Sequence, residues 1–346
     1  MLLSKLQYLF ALPFVVSAAD IDSALPASKP STPSHSLSAQ TLFQFEKVGT
    51  WLENIAVRPN GDLLVTLLLP NASLYTLKRP YSTHREFSLL HTFDDASGLL
   101  GITETETDTY AILSLQSSNI SASGSGGCTV WGVSLVQDSL NVRKIANLPD
   151  VMVPNGITSI PGSFAVLVAD SIGGTVTRCD TRTGICETVL KVPETVPVPN
   201  STQVLGINGI HYREGYISWS HSGLDTIFRI RVDRQGYPAA NSKIEALGTV
   251  DAVFIDDFVV DNAGRFWIAA NPNNSIILLG RDGSSNVVAG SLTELTVAGC
   301  TAAAFGRTVQ DNRTLYVVTS GALRAPVNGT VSEPAKVVAL DTSKCA

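Results

Sequence analysis

Val153-Pro-Asn155-Gly-Ile-Thr-Ser159, Ile207-Asn208-Gly-Ile-His-Tyr212 and Ile255-Asp256-Asp-Phe-Val-Val260 repeat one pattern. An amide or carboxylate stands before a small or acidic residue, and an apolar run begins. Each run passes through a Gly-containing turn into a second one: Phe164-Ala-Val-Leu-Val-Ala169, Tyr216-Ile-Ser-Trp-Ser220 and Arg265-Phe-Trp-Ile-Ala-Ala270. Short apolar runs bounded by turn residues are strands. The unit is therefore a β-hairpin opened by a polar side chain.

Outward from this stretch the unit recurs. Trp51-Leu-Glu53-Asn-Ile-Ala-Val57 leads to Gly61-Asp-Leu-Leu-Val-Thr66, and Leu99-Leu100-Gly-Ile-Thr103 leads to Tyr110-Ala-Ile-Leu-Ser-Leu115. Ala302-Ala303-Ala-Phe-Gly306 with Thr314-Leu-Tyr-Val-Val-Thr319 closes the series. The opening positions 53, 100, 155, 208, 256 and 303 are roughly 50 residues apart, the length of a blade of four short strands. Six copies predict an all-β fold, a six-bladed β-propeller.

With 346 residues the chain is long enough for two domains, but an unbroken repeat from Glu53 to Ala303 makes one domain over residues 41–346 the better expectation. It is 44% hydrophobic and 16% charged, ample for a large core. A formal net charge of -6 gives nucleic acid or an anionic membrane no electrostatic purchase. Residues 1–19 read as a secretory signal peptide: Lys5, then an apolar stretch, then Val16-Ser-Ala18 as cleavage site. No later apolar run is long enough to span a membrane. A secreted protein is expected, and six Asn-x-Ser/Thr sequons, at Asn71, Asn119, Asn200, Asn273, Asn312 and Asn328, agree with that address.

Residues 20–40, rich in Ser, Pro and Ala, read as a flexible leader. Closing the ring needs strands from both ends of the chain, and Leu42-Phe-Gln-Phe45 with Lys336-Val-Val-Ala-Leu340 are the candidates. Five cysteines in an oxidising compartment imply up to two bridges and one thiol left over. Cys179 and Cys186 flank the turn sequence Asp180-Thr-Arg-Thr-Gly184 and are expected to pair across a hairpin. Cys300 with Cys345 would clamp the ring, leaving Cys128 free; other pairings stay open.

In a propeller the innermost strands line one axis, so equivalent positions of distant repeats meet there. The expected ring is Glu53, Leu100, Asn155, Asn208, Asp256 and Ala303. Two carboxylates and two amides suit a hard cation such as calcium, and the absence of nitrogen or thiolate ligands argues against zinc or copper. The alternative is a hydrogen-bonded polar plug. Asn-Gly is also the commonest hairpin turn, but Asn155-Gly156 and Asn208-Gly209 precede a strand instead of joining two. Loops on the same side add Asp170, Trp219, His221, Asn271 and Thr319 to the pocket wall with Leu100 and Ala303. His221 is either a proton donor or a hydrogen-bonded loop histidine, and His211, inside a strand, reads as structural. Trp51 and Trp219 are core residues or, near a pocket mouth, a platform for a flat apolar ligand.

The Glu, Asn, Asn, Asp quartet on four blades resembles the gluconolactonase and senescence marker protein (regucalcin) superfamily, which includes diisopropylfluorophosphatase. The likeness extends over essentially the whole mature chain, with Pro154-Asn-Gly156 and Phe258-Val-Val-Asp261-Asn-Ala-Gly264-Arg-Phe-Trp267 similar to its signatures. Ile255-Asp-Asp257 departs from the usual Pro-Asp-Gly. The resemblance implies that Glu53, Asn155, Asn208 and Asp256 hold calcium at the pocket side of the channel.

The signal peptide, the sequons and Trp51-Leu-Glu-Asn-Ile-Ala-Val57 are similar to a secreted fungal branch that includes hetero-Diels-Alderases, which join a tropolone-derived quinone methide to a humulene-type sesquiterpene. That resemblance implies a cycloaddition enzyme of secondary metabolism with a small apolar substrate. A calcium-dependent lactonase or esterase, with Asp256 assisting water, is the alternative. A binding module without catalysis stands third. Leu100 and Ala303 leave the ring no ionisable group beyond the expected ligands, which favours chemistry that needs no base.

Overall fold

The computed structural model describes residues 36–116, 127–201 and 203–345. Six antiparallel four-stranded sheets make the six blades. Blade 1 is β2 (Trp51–Val57), β3 (Leu63–Leu69), β4 (Ser73–Lys78) and β5 (Glu86–Thr92). Blade 2 is β6 (Ala96–Glu106), β7 (Thr109–Gln116), β8 (Cys128–Ser134) and β9 (Asn141–Leu148). Blade 3 is β10 (Pro154–Ser159), β11 (Ala165–Asp170), β12 (Thr175–Asp180) and β13 (Cys186–Leu190). Blade 4 is β14 (Ile207–Arg213), β15 (Tyr216–His221), β16 (Thr226–Arg231) and β17 (Glu245–Thr249). Blade 5 is β18 (Phe258–Val260), β19 (Phe266–Ala270), β20 (Ser275–Leu279) and β21 (Ser285–Gly290). Blade 6 takes β22 (Cys300–Phe305), β23 (Thr314–Thr319) and β24 (Lys336–Asp341) from the end of the chain and its outermost strand, β1 (Ser38–Gln44), from the beginning.

The second strand of a blade is buried on both faces, which is why its sequence is an apolar run without alternation: β3 reads LLVTLLL and β11 AVLVAD, nearly every residue buried. The outermost strands alternate loosely and stay half-exposed, as in β5 and β17. The core lies between neighbouring blades. Leu113 and Val130 of blade 2 share a cluster with Val166 and Val168 of blade 3, and Leu167 and Val176 of blade 3 share another with Trp219 and Phe228 of blade 4. Each such fully buried side chain contributes about 2 kcal/mol.

Ring closure follows the expected pairing, with Thr41 opposite Val338 and Gln44 opposite Lys336. The closing strand starts at Ser38, three residues inside the stretch expected to be leader. Its first four residues are exposed on a sheet edge, so they carry no hydrophobic pattern to announce a strand. Aromatic rings seal the seam: Phe43 stacks on Phe87 at 3.6 Å and Phe87 on Tyr75 at 4.9 Å, with Phe45 edge-on at 5.7 Å from Phe87.

One disulfide, Cys179–Cys186, staples β12 to β13 across the turn, as expected. The second expected bridge is not formed: Cys128, Cys300 and Cys345 are free. Cys300 opens β22 and pairs with Thr319 at one end of the blade, whereas Cys345 follows β24, beyond Asp341, which pairs with Thr314 at the other. A six-residue strand separates those ends by roughly 16 Å, beyond any disulfide. The Cys300 thiol is instead within 3.1 Å of the Ser275 carbonyl.

Among the sequons, Asn71, Asn200, Asn312 and Asn328 are exposed, while Asn273 is half-buried and its Oδ1 accepts from the Val253 N–H at 2.9 Å. Asn119 and residues 1–19 lie outside the described residues. No helix among the described residues is long and apolar enough to cross a membrane.

Candidate active site

The inner strands carry the site: those of blades 1, 3 and 4 break register where the polar residue stands, and Asp256 lies just before β18, whose ladder is regular. The ladder skips Glu53 between Leu52 and Asn54, skips Asn155-Gly156 between Pro154 and Ile157, and skips Asn208-Gly209 between Ile207 and Ile210. Such β-bulges re-aim a side chain away from the sheet face. The glycines are needed for approach between strands: a Cβ at Gly156 would lie 2.8 Å from the Asn208 carbonyl oxygen, and one at Gly209 would lie 2.0 Å from Asp257 Oδ1. The Asn-Gly pairs are thus bulges at the axis and not turns.

In blade 2 the irregularity holds Leu100, as expected, and Leu100 is a core residue clustered with Trp51 and Leu68. In blade 6 the break falls at Thr301, between Cys300 and Ala302. Thr301, not Ala303, is therefore the sixth member of the ring; its Oγ1 donates to the Leu52 carbonyl at 2.8 Å. Ala303 sits two residues further on, packed with Trp267 and Leu315. Thr301-Ala302-Ala303 has neither an amide or carboxylate nor a glycine to mark its opening position.

Glu53, Asn155, Asn208 and Asp256 are all buried. Trp51 Nε1 donates to Glu53 Oε2. Asn271 Nδ2 donates to Asp256 Oδ2 at 3.2 Å, and Asn208 Nδ2, whose side chain helps to offset the rise in the Asp256 pKa, donates to Ser222 Oγ at 3.0 Å. Ser222 Oγ in turn donates to the Ile255 carbonyl at 2.8 Å, which ties blade 4 to the segment that carries Asp256. Burial, with the Asp256 charge beside it, holds the Glu53 carboxyl well above its ordinary range. Burial likewise pushes Asp256 up to about 7, against the opposing pull of the Arg324 guanidinium.

Arg324 was not legible as a site residue. It comes from residues 320–335, the connection between β23 and β24, which blades 3, 4 and 5 make in four residues. The side chain is 5% exposed, its guanidinium lies 4.6 Å from the centre of the Phe254 ring, and it is within electrostatic reach of Asp256 and Glu53. The one available signal was the length of that last connection.

Other expected wall residues have structural duties. His221 is fully buried, with Nε2 2.9 Å from the Val196 carbonyl and Nδ1 accepting from Gly223 N–H at 3.2 Å. Both ring nitrogens are engaged, so no proton is on offer. Trp219 is a core residue whose Nε1 donates to the Glu194 carbonyl at 2.8 Å. Asp170 accepts from the backbone N–H groups of Met152, Val153 and Gly173 at 2.9, 3.0 and 3.0 Å, fixing two loops. Thr319 accepts from Lys336 N–H at 3.0 Å. Of the expected wall, Asn271 alone has a side-chain hydrogen bond to the quartet.

Asp257 faces other partners: His211 Nε2 at 2.7 Å, Asn54 Nδ2 at 2.9 Å and its own neighbour Phe258 N–H at 2.7 Å. These bonds link blades 1, 4 and 5, in keeping with the structural role expected of His211.

The quartet fits a divalent cation. Asn208 Oδ1 is buried with no hydrogen-bond donor, a state that calls for a ligand. Burial and the charge of neighbouring carboxylates raise both carboxyls, and a cation between them would hold them ionised. Four oxygens from two carboxylates and two amides are the donor set that hard cations take.

No protein-family model matches the chain. A protein of Phoma sp that bears the name of a hetero-Diels-Alderase is 30% identical over 296 residues, 78% of this chain and 83% of that one. A second, of Sarocladium schorii and named likewise, is 28% identical over 303 residues, 78% of this chain and 75% of its own length. Regucalcin of Agrobacterium tumefaciens, a calcium-binding protein, superposes with a TM-score of 0.59 at 14% identity, covering 88% of this chain and 94% of the other, a likeness of fold alone. Identity of this degree across most of both chains decides the relationship: the chain belongs to the hetero-Diels-Alderase family.

Proposed function

We propose that the protein is a secreted enzyme of fungal secondary metabolism that catalyses an intermolecular hetero-Diels-Alder reaction, joining a tropolone-derived quinone methide to a humulene-type sesquiterpene. The observation that carries this is the 30% identity to a named hetero-Diels-Alderase over 296 residues. The reaction converts three π bonds into two σ bonds, one C–C and one C–O, and one π bond. No proton, hydride or leaving group moves, so it needs neither base nor nucleophile. The chemistry of the site agrees: both His221 nitrogens are engaged, and Trp51 and Asn271 donate to the Glu53 and Asp256 carboxylates.

What remains for the protein to supply is positioning and polarisation. Holding diene and alkene together removes translational freedom before the barrier is climbed. Oriented N–H donors stabilise charge that builds on the carbonyl oxygen of the diene. Glu53, Asn155, Asn208 and Asp256 would hold a divalent ion, in our reading calcium, which would supply a Lewis acid beside that oxygen. The Cys179–Cys186 bridge and the exposed sequons at Asn71, Asn200, Asn312 and Asn328 support a secretory route.

The test is to generate the quinone methide in the presence of humulene and purified protein. A single stereoisomer formed well above the uncatalysed rate is expected. A racemic product at background rate, together with hydrolysis in a lactone panel, would transfer the assignment to the lactonase alternative.

A further inference from the structure

We infer that Arg324 is a catalytic residue of this site, the donor that grips the carbonyl oxygen of the diene. The inference rests on the cycloaddition reading for its substrate. Three observations carry it. First, the connection that bears Arg324 is elaborated as no neighbouring one is: residues 320–335 fold back through the bridge Val327↔Val331, with Ser332 Oγ on the Ala322 carbonyl at 3.1 Å and Ala322 N–H on the Ala298 carbonyl at 3.1 Å. Ala298, Ala322 and Val327 form a small apolar cluster of their own beneath it. A segment so tied is a rigid support and not slack chain.

Second, the guanidinium is within electrostatic reach of Glu53 and Asp256, and it lies over Phe254, 4.6 Å from the ring centre, a residue itself 1% exposed. A cation over a ring face is held there by the ring quadrupole, and the guanidinium N–H groups are directional donors. Third, a role as counter-ion alone does not account for the arrangement. A lysine or a shorter connection would deliver one positive charge equally well, whereas a planar fork is suited to a carbonyl oxygen and its neighbour.

As the C–O bond forms, electron density moves onto the carbonyl oxygen, and a donor fixed in advance stabilises that state more than the ground state. Arg324 keeps its proton throughout, so the electron count of the cycloaddition is unchanged.

The experiment uses the full chain and the variants Arg324→Met and Arg324→Lys, with three readings: steady-state rates, binding of tropolone by calorimetry, and the change in melting temperature on adding EDTA. The expected result for Arg324→Met is a fall in kcat of about 100-fold with a smaller change in KM, and weaker tropolone binding. Arg324→Lys should recover part of both. The response to EDTA should match the wild type, since the quartet is intact. Turnover by Arg324→Met within about threefold of wild type, far short of the loss of a transition-state donor, overturns the inference. So does loss of the EDTA response together with turnover, which would make Arg324 a prop for the carboxylates. If wild type forms no adduct yet binds tropolone in an Arg324-dependent way, the cycloaddition reading fails and the role of Arg324 as an oxygen-gripping donor stands.

Discussion

Asn208 donates from Nδ2 to Ser222, and its buried Oδ1 has no donor. If that oxygen is a cation ligand, calcium added to EDTA-treated protein should raise the melting temperature. Occupancy of about 100 times Kd is worth roughly 3 kcal/mol. Asn208→Leu should respond far less, and a wild-type melting curve indifferent to both EDTA and calcium would remove the cation from the proposal. Asp225 offers a separate test in the turn between β15 and β16. Burial pushes its carboxyl up to about 7, with the Asp251 charge adding to the effect. A carboxylate whose pKa is higher folded than unfolded binds its proton more tightly in the native state, so stability falls as pH rises from near 4 to about 7 and levels off above. The ceiling is about 4 kcal/mol and partial solvation brings it nearer 2. Asp225→Asn should flatten that slope in chemical denaturation across the same range. At this scale the repeat placed Glu53, Asn155, Asn208 and Asp256 at the openings of blades 1, 3, 4 and 5, where all four are buried. It was silent on Arg324, whose place depends on how a loop folds back. Asp170 and His221 could not be told from pocket residues until their hydrogen bonds were seen.

Single strands and turns show why blades were countable and registers were not. Every hairpin announced itself through apolar runs broken by glycine, because strands buried on both faces admit little else. The sixth copy slipped by two positions, from Thr301 to Ala303, since a run of small residues looks alike from either register. β1 was cut short at its polar end for the same kind of reason. Its contribution is measurable: Phe43→Ala removes a ring stacked at 3.6 Å on Phe87 and should cost about 2 kcal/mol in urea unfolding, while deleting residues 36–44 should prevent a cooperative transition. The cysteines give an element-level check on the corrected pairing. With no reductant, a thiol reagent should find one reactive group in the native protein, half-exposed Cys345, and three after denaturation. A Cys300–Cys345 bridge would leave one in the denatured protein.

For the molecule as a whole, six blades share one axis, and the ties between them run through that axis. Thr66 Oγ1 on the Leu100 carbonyl at 2.7 Å joins blades 1 and 2, Ser220 Oγ on the Asp256 carbonyl at 2.6 Å joins blades 4 and 5, and Thr301 joins blade 6 to blade 1. Loss of such a bond should be felt by the whole ring: Ser220→Ala should lower the melting temperature by a few degrees, a cost of about 1 kcal/mol or more, without splitting the transition in calorimetry. The circle is fastened by Ser38–Gln44 against Lys336–Asp341, the first strand against the last. Synthesis proceeds in one direction, so the first strand to leave the ribosome has no mate until nearly the entire polypeptide has followed it. During that interval blades 1 to 5 can assemble, but the opening strand must wait as an unpaired ribbon with Phe43 uncovered, and that waiting ribbon is where a chaperone would find its grip.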